Sequence, residues 1–317
     1  MLTTRARTPS PASSSRAESA SPTSDPVAIR MTSGSPSPAS IRTYAPLATS
    51  EAGATTDLSS VDILGVKVST ASFSETARDV VAWATRPTES LPRFVSATSV
   101  HGLIEATGDP LFREILNGAS RVTPDGMPLV WFGRLSGRTT MERVYGPTLM
   151  KDVCRQTAGR GVRHFFFGGA AGVPEQLAWR LQAEFPGLEV AGTLSPPFRA
   201  LTESEVSEIV TRINVTGAEI VWVGLSTPKQ ERWIAAVRAR LSARVVLSVG
   251  AAFDFHTGRV RQAPRWMQAR GLEWLFRLSQ EPRRLWRRYA YNNPRFLWLA
   301  LLQLAGLRKF TNVTEVE

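Results

Sequence analysis

The chain has 317 residues, with 38 lysines and arginines against 27 aspartates and glutamates, giving a formal net charge of +11. That length suffices for one large cored domain or two small ones, and the charge calls for anionic partners such as nucleic acid, phospholipid head groups or diphosphates. One cysteine and three histidines exclude an internal disulfide or CxxC zinc site and speak against a His-based metal cluster, so Cys154 reads as a buried thiol in a reducing compartment.

Residues 1 to about 57 are dominated by Ser, Thr, Pro and Ala, as in SPASSSRAESASPTSDP. Such a segment has too little apolar surface to offset its ordering entropy, which predicts a disordered tail without chemistry of its own. Nothing in it has the apolar core of a signal peptide. No stretch elsewhere reaches the roughly 20 apolar residues of a membrane span, so a soluble or peripheral protein is expected.

From about Val61 the texture changes. Val61–Val68 reads as a strand or hairpin. Ser72–Arg86 reads as a helix, with Ser72 and Glu75 forming a capping box. Phe94–Ala97 is a predicted strand, and the helical segment after it carries Leu103, Ile104, Leu111, Phe112 and Ile115. Arg121–Thr123 is a strand that feeds the turn Pro124-Asp125-Gly126, and Pro147–Ala158 is helical. Three strand-turn-helix units follow: His164–Phe167 with Gly168-Gly169, Ile220–Val223 with Gly224, and Val245–Val249 with Gly250. Their continuous apolar runs suit a parallel sheet buried on both faces. The fold class is therefore α/β, a Rossmann-like, mostly parallel sheet sandwiched by helices over residues 58–260, behind the tail at 1–57.

Residues 261–317 differ again. Between Arg259 and Lys309 there are twelve basic residues and two acids, Glu273 and Glu281, interleaved with Trp266, Trp274, Trp286 and Trp298. The pattern predicts two or three amphipathic helices broken at Pro282 and Pro294. Arg283 with Arg287, and Arg284 with Arg288, fall one turn apart on one side. Tryptophan and arginine on such helices suit an anionic membrane surface, and the run Phe296–Leu302 favours that over nucleic acid. The same apolar faces also suit an oligomer.

In a doubly wound sheet, ligands sit at the carboxyl ends of the strands. The turns at Gly168-Gly169, Gly224 and Gly250 let backbone approach a phosphate, and the helix N-termini after them favour anions. None forms GxGxxG or a P-loop, so the turns alone indicate a nucleotide-like ligand without naming it. Asp125 is either a turn former or a catalytic carboxylate, and Asp254 either a helix cap or a site residue. Lys229 and Gln230 open a helix just past Gly224, where they suit contacts to a nucleotide or sugar. The sequence lacks an Asp-x-Asp pair, so charge on a leaving diphosphate falls to Lys, Arg or backbone amides. No cofactor or metal is expected.

Six segments carry a resemblance to the WecG/TagA/CpsF glycosyltransferase family: TPDGMPLVW at 123–131, ERVYGPTLM at 142–150, FFFGGAAGVPEQ at 165–176, VGLSTPKQERW at 223–233, VGAAFDFHTGRVRQAPRWMQARGLEWLFRL at 249–278 and QEPRRLWRRYAYNNPRFL at 280–297. The resemblance covers about Ser96 to Leu302. It implies an inverting, metal-independent transfer from a UDP-sugar of the N-acetylmannosamine type to a saccharide on polyprenyl diphosphate. It further implies a cytoplasmic protein, peripheral at the inner face of the plasma membrane, that serves exopolysaccharide or teichoic acid synthesis. By position, Asp125 matches the catalytic base, Arg143 a basic residue near the active site and Gln230 a polar residue of the donor pocket. Arg283, Arg284, Arg287 and Arg288 match residues facing the lipid diphosphate or the active site. Where many members have Thr-x-Asn, this chain has Ser96-Ala97-Thr98, and Ser99 or His101 is the candidate to supply the missing contact. Two other classes compete with an enzyme, a basic nucleic-acid-binding α/β protein and a UDP-sugar-binding partner protein without turnover. Asp125→Asn and salt-dependent DNA binding discriminate among them.

Overall fold

A computed structural model describes residues 60–86 and 91–310; the expected tail at 1–57 lies outside them. The first elements are a hairpin of β1 (Ser60–Ile63) and β2 (Val66–Ser69) and a helix α1 (Phe73–Thr85), whose Ser72–Glu75 capping box is formed on both sides. There follow β3 (Arg93–Thr98), α2 (Val100–Gly108), α3 (Pro110–Asn117), β4 (Arg121–Pro124), α4 (Met127–Leu135) and α5 (Gly146–Thr157). The second half holds β5 (Arg163–Gly168), α6 (Val173–Glu184), β6 (Glu189–Leu194), α7 (Glu203–Val215), β7 (Ile220–Gly224), α8 (Lys229–Val237), β8 (Val245–Ser248) and α9 (Ala252–His256). Three further helices follow: α10 (Arg265–Ala269), α11 (Glu273–Gln280) and the strongly basic α12 (Pro282–Leu304).

Among the described residues, six strands form one parallel sheet in the order β4-β3-β8-β7-β5-β6. Its alternating side chains feed two different layers. Val95, Phe166, Trp222, Val245 and Leu247 pack with α1, α5, α6 and α9, while Phe94, Phe165, Phe167, Val221, Val223 and Val246 pack with α7 and α8. Burial on both faces is why these strands are apolar without alternation. The sequence left β6 and α7 unassigned. β6 is an edge strand whose residues stay only partly buried, so it lacks the apolar run that marks its neighbours.

The helix after β3 lies on one face of the sheet and the helix after β8 on the other, as their clusters require. Since β3 and β8 are neighbours, a topological switch point opens between their carboxyl ends, which is where open α/β sheets bind ligands.

Pro294 does not break the last helix. It lies inside α12, a single helix of 23 residues. A proline there loses one backbone hydrogen bond and crowds the carbonyl four residues earlier. Packing on both sides of it outweighs that cost: Leu285 and Asn292 before it and Phe296, Leu299 and Ala300 after it are buried. Phe296, Leu299 and Ala300 share one core cluster with the β1–β2 hairpin, α2, α3 and α4. Gln303 bonds the Leu64 amide and the Asp62 carbonyl at 2.8 and 3.0 Å. Cutting the chain after Gly258 would thus strip part of the core as well as the basic surface. Cys154 is buried and free, its thiol pushed up by burial, with its sulfur 3.9 Å from His164 Nδ1.

Candidate active site

Asp125 follows the last residue of β4 directly. Its backbone amide bonds the Thr98 carbonyl at 2.9 Å, which ties it to the end of β3. Its Oδ1 accepts from the Gly146 amide at 2.8 Å, at the start of α5. A Cβ at 146 would press on Ala97 Cβ at 3.2 Å and reach ordinary contact with Asp125 Oδ1 and the Val249 carbonyl at 3.5 Å, so glycine leaves α5 room to start beside the carboxylate. Desolvation pushes the Asp125 carboxyl up to about 6, against the opposing pull of the Arg143 guanidinium and the Gly146 amide. A carboxylate poised there is a competent proton acceptor near neutral pH.

Arg143 donates through Nε to the Asp125 backbone carbonyl and through Nη2 to Glu273 at 2.6 Å, and lies 3.9 Å from the centre of the Tyr145 ring. Tyr145 donates its hydroxyl to the other Glu273 oxygen at 2.8 Å. Burial and the neighbouring carboxylates hold that phenol protonated, so it remains a donor. Glu273 belongs to α11, so one carboxylate joins the basic C-terminal helices to the Asp125 loop. The turn between α10 and α11 closes over α4: a Cβ on Gly271 would come within 2.5 Å of the Trp131 ring.

The four predicted tail arginines divide. Arg283 and Arg287 are exposed, with Arg287 stacked on Trp286, and Arg284 pairs with Glu281 at 2.6 Å. Arg288 turns inward, and its Nε has no hydrogen-bond partner. Arg277, which the sequence reading did not single out, joins it. Its Nε is equally unpartnered, its guanidinium lies over Phe255, and its charge acts on both Asp125 and Arg288. Arg277 also faces Glu281 at 3.7 Å, and this pair of neighbouring cations suits a diphosphate. Only the three-dimensional placement separates Arg277 and Arg288 from their exposed neighbours.

Of the remaining predicted residues, Ser96, Thr98 and Gln230 are buried beneath the switch point rather than lining its mouth. Ser99 caps α2 without a side-chain bond. His101 is held by the Asn292 amide at 3.0 Å and the Thr227 carbonyl; burial and the nearby Arg288 lower it to about 4, so it is neutral and fastens α2 to α12. Gly168 and Gly224 serve close packing: a Cβ on Gly168 would meet the Gly224 backbone at 2.6 Å, and one on Gly224 the Phe253 ring at 2.7 Å. Gly169 bonds the Gly224 carbonyl. Gly250, with φ +55°, has open space around it. Lys229 is exposed at the start of α8, 5.9 Å from the Phe198 ring, and Asp254 faces Arg259 at 3.7 Å with its carboxyl raised by burial.

Residues 61–310 match the Glycosyl transferase WecG/TagA/CpsF family. Two proteins described as N-acetylglucosaminyldiphosphoundecaprenol N-acetyl-beta-D-mannosaminyltransferase are similar to the chain. The one from Bacillus spizizenii is 30% identical over 184 residues, 58% of this chain and 69% of the relative. Its counterpart in Bacillus subtilis (strain 168) is 28% identical over 183 residues, with the same two coverages of 58% and 69%. The chain belongs to the WecG/TagA/CpsF glycosyltransferase family.

Proposed function

We propose that this family member is an inverting, metal-independent transferase. In this reading it moves an N-acetylmannosamine-type sugar from a UDP-sugar onto a polyprenyl-diphosphate-linked saccharide. The observation that carries the reading is Asp125: a carboxylate at the carboxyl edge of a parallel sheet, with its carboxyl raised to about 6, and with Arg143 beside it. The Asp125 carboxylate takes the acceptor hydroxyl proton as that oxygen attacks the anomeric carbon from the face opposite UDP. The bond from the anomeric carbon to the UDP oxygen breaks, and UDP leaves with the electron pair. The neighbouring charges of Arg277 and Arg288 offset that developing charge. The test is the product formed from an α-configured UDP-sugar in the presence of EDTA. We expect a β linkage at an undiminished rate; an α linkage, or loss of turnover restored by a divalent ion, would refute the mechanism.

In this reading a lipid-linked acceptor supports a reaction at the inner face of the plasma membrane, in cell-surface polysaccharide synthesis. The C-terminal helices support that location. Among the described residues no helix is long and apolar enough to cross a membrane, yet α12 exposes Trp286, Leu297, Trp298 and Leu301, each more than half accessible, on the face opposite its buried stripe. Arg283 and Arg287 lie on the same outward side. Such a helix rests in the head-group region with its arginines on anionic lipid. Replacing Trp298 and Leu301 together by serine should reduce co-sedimentation with phosphatidylglycerol vesicles by about tenfold without lowering Tm. Unchanged sedimentation would remove α12 from the membrane contact.

A further inference from the structure

Under the switch point lies a carboxylate that the reaction above does not use. Glu231 sits in the first turn of α8 and is 1% exposed. Its Oε1 accepts from Gln230 Nε2 at 2.9 Å and Thr227 Oγ1 at 3.0 Å, with Ser248 Oγ at 3.5 Å, while Oε2 is buried without a partner. Two chains of contact leave it. Through Gln230, whose Oε1 accepts from the Gly250 amide at 3.1 Å, it holds the turn after β8. Through Ser248, which reaches Ser96 at 3.2 Å, and Ser96, which reaches Thr98 at 2.9 Å, it holds the end of β3. The Thr98 carbonyl in turn receives the Asp125 amide.

A buried carboxylate with one orphaned oxygen weakens a fold more than a well-packed apolar side chain of similar volume would. Core packing alone does not explain it. Groups that break the rules of burial belong, as a class, at functional sites. Resting on the donor-pocket reading given above, we propose that Glu231 is a positioning residue of the donor crevice, a single acceptor that sets the Gly250 turn and the β3–Asp125 edge at a fixed separation. It touches no reacting atom. Through Ser248 it is linked to the Ser96 and Thr98 hydroxyls, in the segment where this chain departs from Thr-x-Asn.

The experiment measures the dissociation constant of UDP by calorimetry on the full chain, beside Tm and donor KM. Glu231→Leu removes the acceptor, and should weaken UDP and raise donor KM by about tenfold while Tm holds or rises. Glu231→Gln keeps an acceptor oxygen in place and should recover most of that loss. Ser248→Ala, a small change that cuts only the link to β3, guards against a leucine variant that fails to fold, and should weaken UDP by about threefold. Unchanged UDP affinity in Glu231→Leu and Ser248→Ala overturns the proposal, as does a glutamine variant as impaired as the leucine one. Wild-type protein that binds UDP and never turns over would defeat the transferase reading yet leave this test intact. Wild type that binds no UDP overturns both.

Discussion

Asp125→Asn is expected to reduce transfer by about a thousandfold, within the range that general acid–base groups contribute, while UDP binding and fold persist. The amide keeps an oxygen where Oδ1 accepts the Gly146 amide, so the α5 start need not move. What disappears is the capacity to accept a proton. The wild-type rate should rise with pH through about 6 and level above it, because only the ionised carboxylate is a base. Stability runs the other way. The folded carboxyl is raised above its ordinary 3.8, so whatever it contributes is fully present below that value and is lost as pH rises towards about 6. The asparagine variant should therefore be at least as stable as wild type at neutral pH, measured by Tm. Full activity in a folded asparagine variant would remove Asp125 as the base.

Arg143→Met should lower kcat/KM by about a hundredfold or more and also change the pH profile. Methionine fills the aliphatic part of the site but withdraws the cation that opposes desolvation at Asp125. The carboxyl then titrates higher still, and the acid limb of the rate profile should move above 6. The same change leaves Glu273, with its side chain 16% exposed, facing only the Tyr145 hydroxyl. An uncompensated carboxylate in that position costs up to about 3 kcal/mol, read as a lower Tm. Because Glu273 joins α11 to this loop, α10 and α11 should also become more sensitive to proteolysis. A variant with wild-type pH dependence would show that Arg143 does not tune Asp125.

The sheet was legible because burial on two faces demands apolar runs, and His164–Phe167, Ile220–Val223 and Val245–Val249 stand out for that reason. Asp125 was legible as a lone acid in a tight turn after a strand, and the six matching segments gave it a role by resemblance. Other features were hidden by distance along the chain. Glu273 meets Arg143 and Tyr145 across about 130 positions, and no local pattern announces that. Arg277 and Arg288 differ from Arg283 and Arg287 only in which way their helices face. Glu231 looked like one charge in the polar first turn of a helix; only the packing of α8 on β8 reveals it as buried. Pro294 misled for a related reason, since a local preference to end the helix yields to apolar contacts on both sides of the proline.

Sugar transfer from a UDP donor to a lipid-linked acceptor is measured most directly as UDP release by the purified full chain. The assay should be run with vesicles, a panel of UDP-sugars and a polyprenyl-diphosphate N-acetylglucosamine analogue, with and without that acceptor. Release is expected to require the acceptor, to be confined to one donor or a close pair, and to vanish in Asp125→Asn. Release that ignores the acceptor, or a folded, UDP-binding protein that releases nothing with any donor, would contradict it.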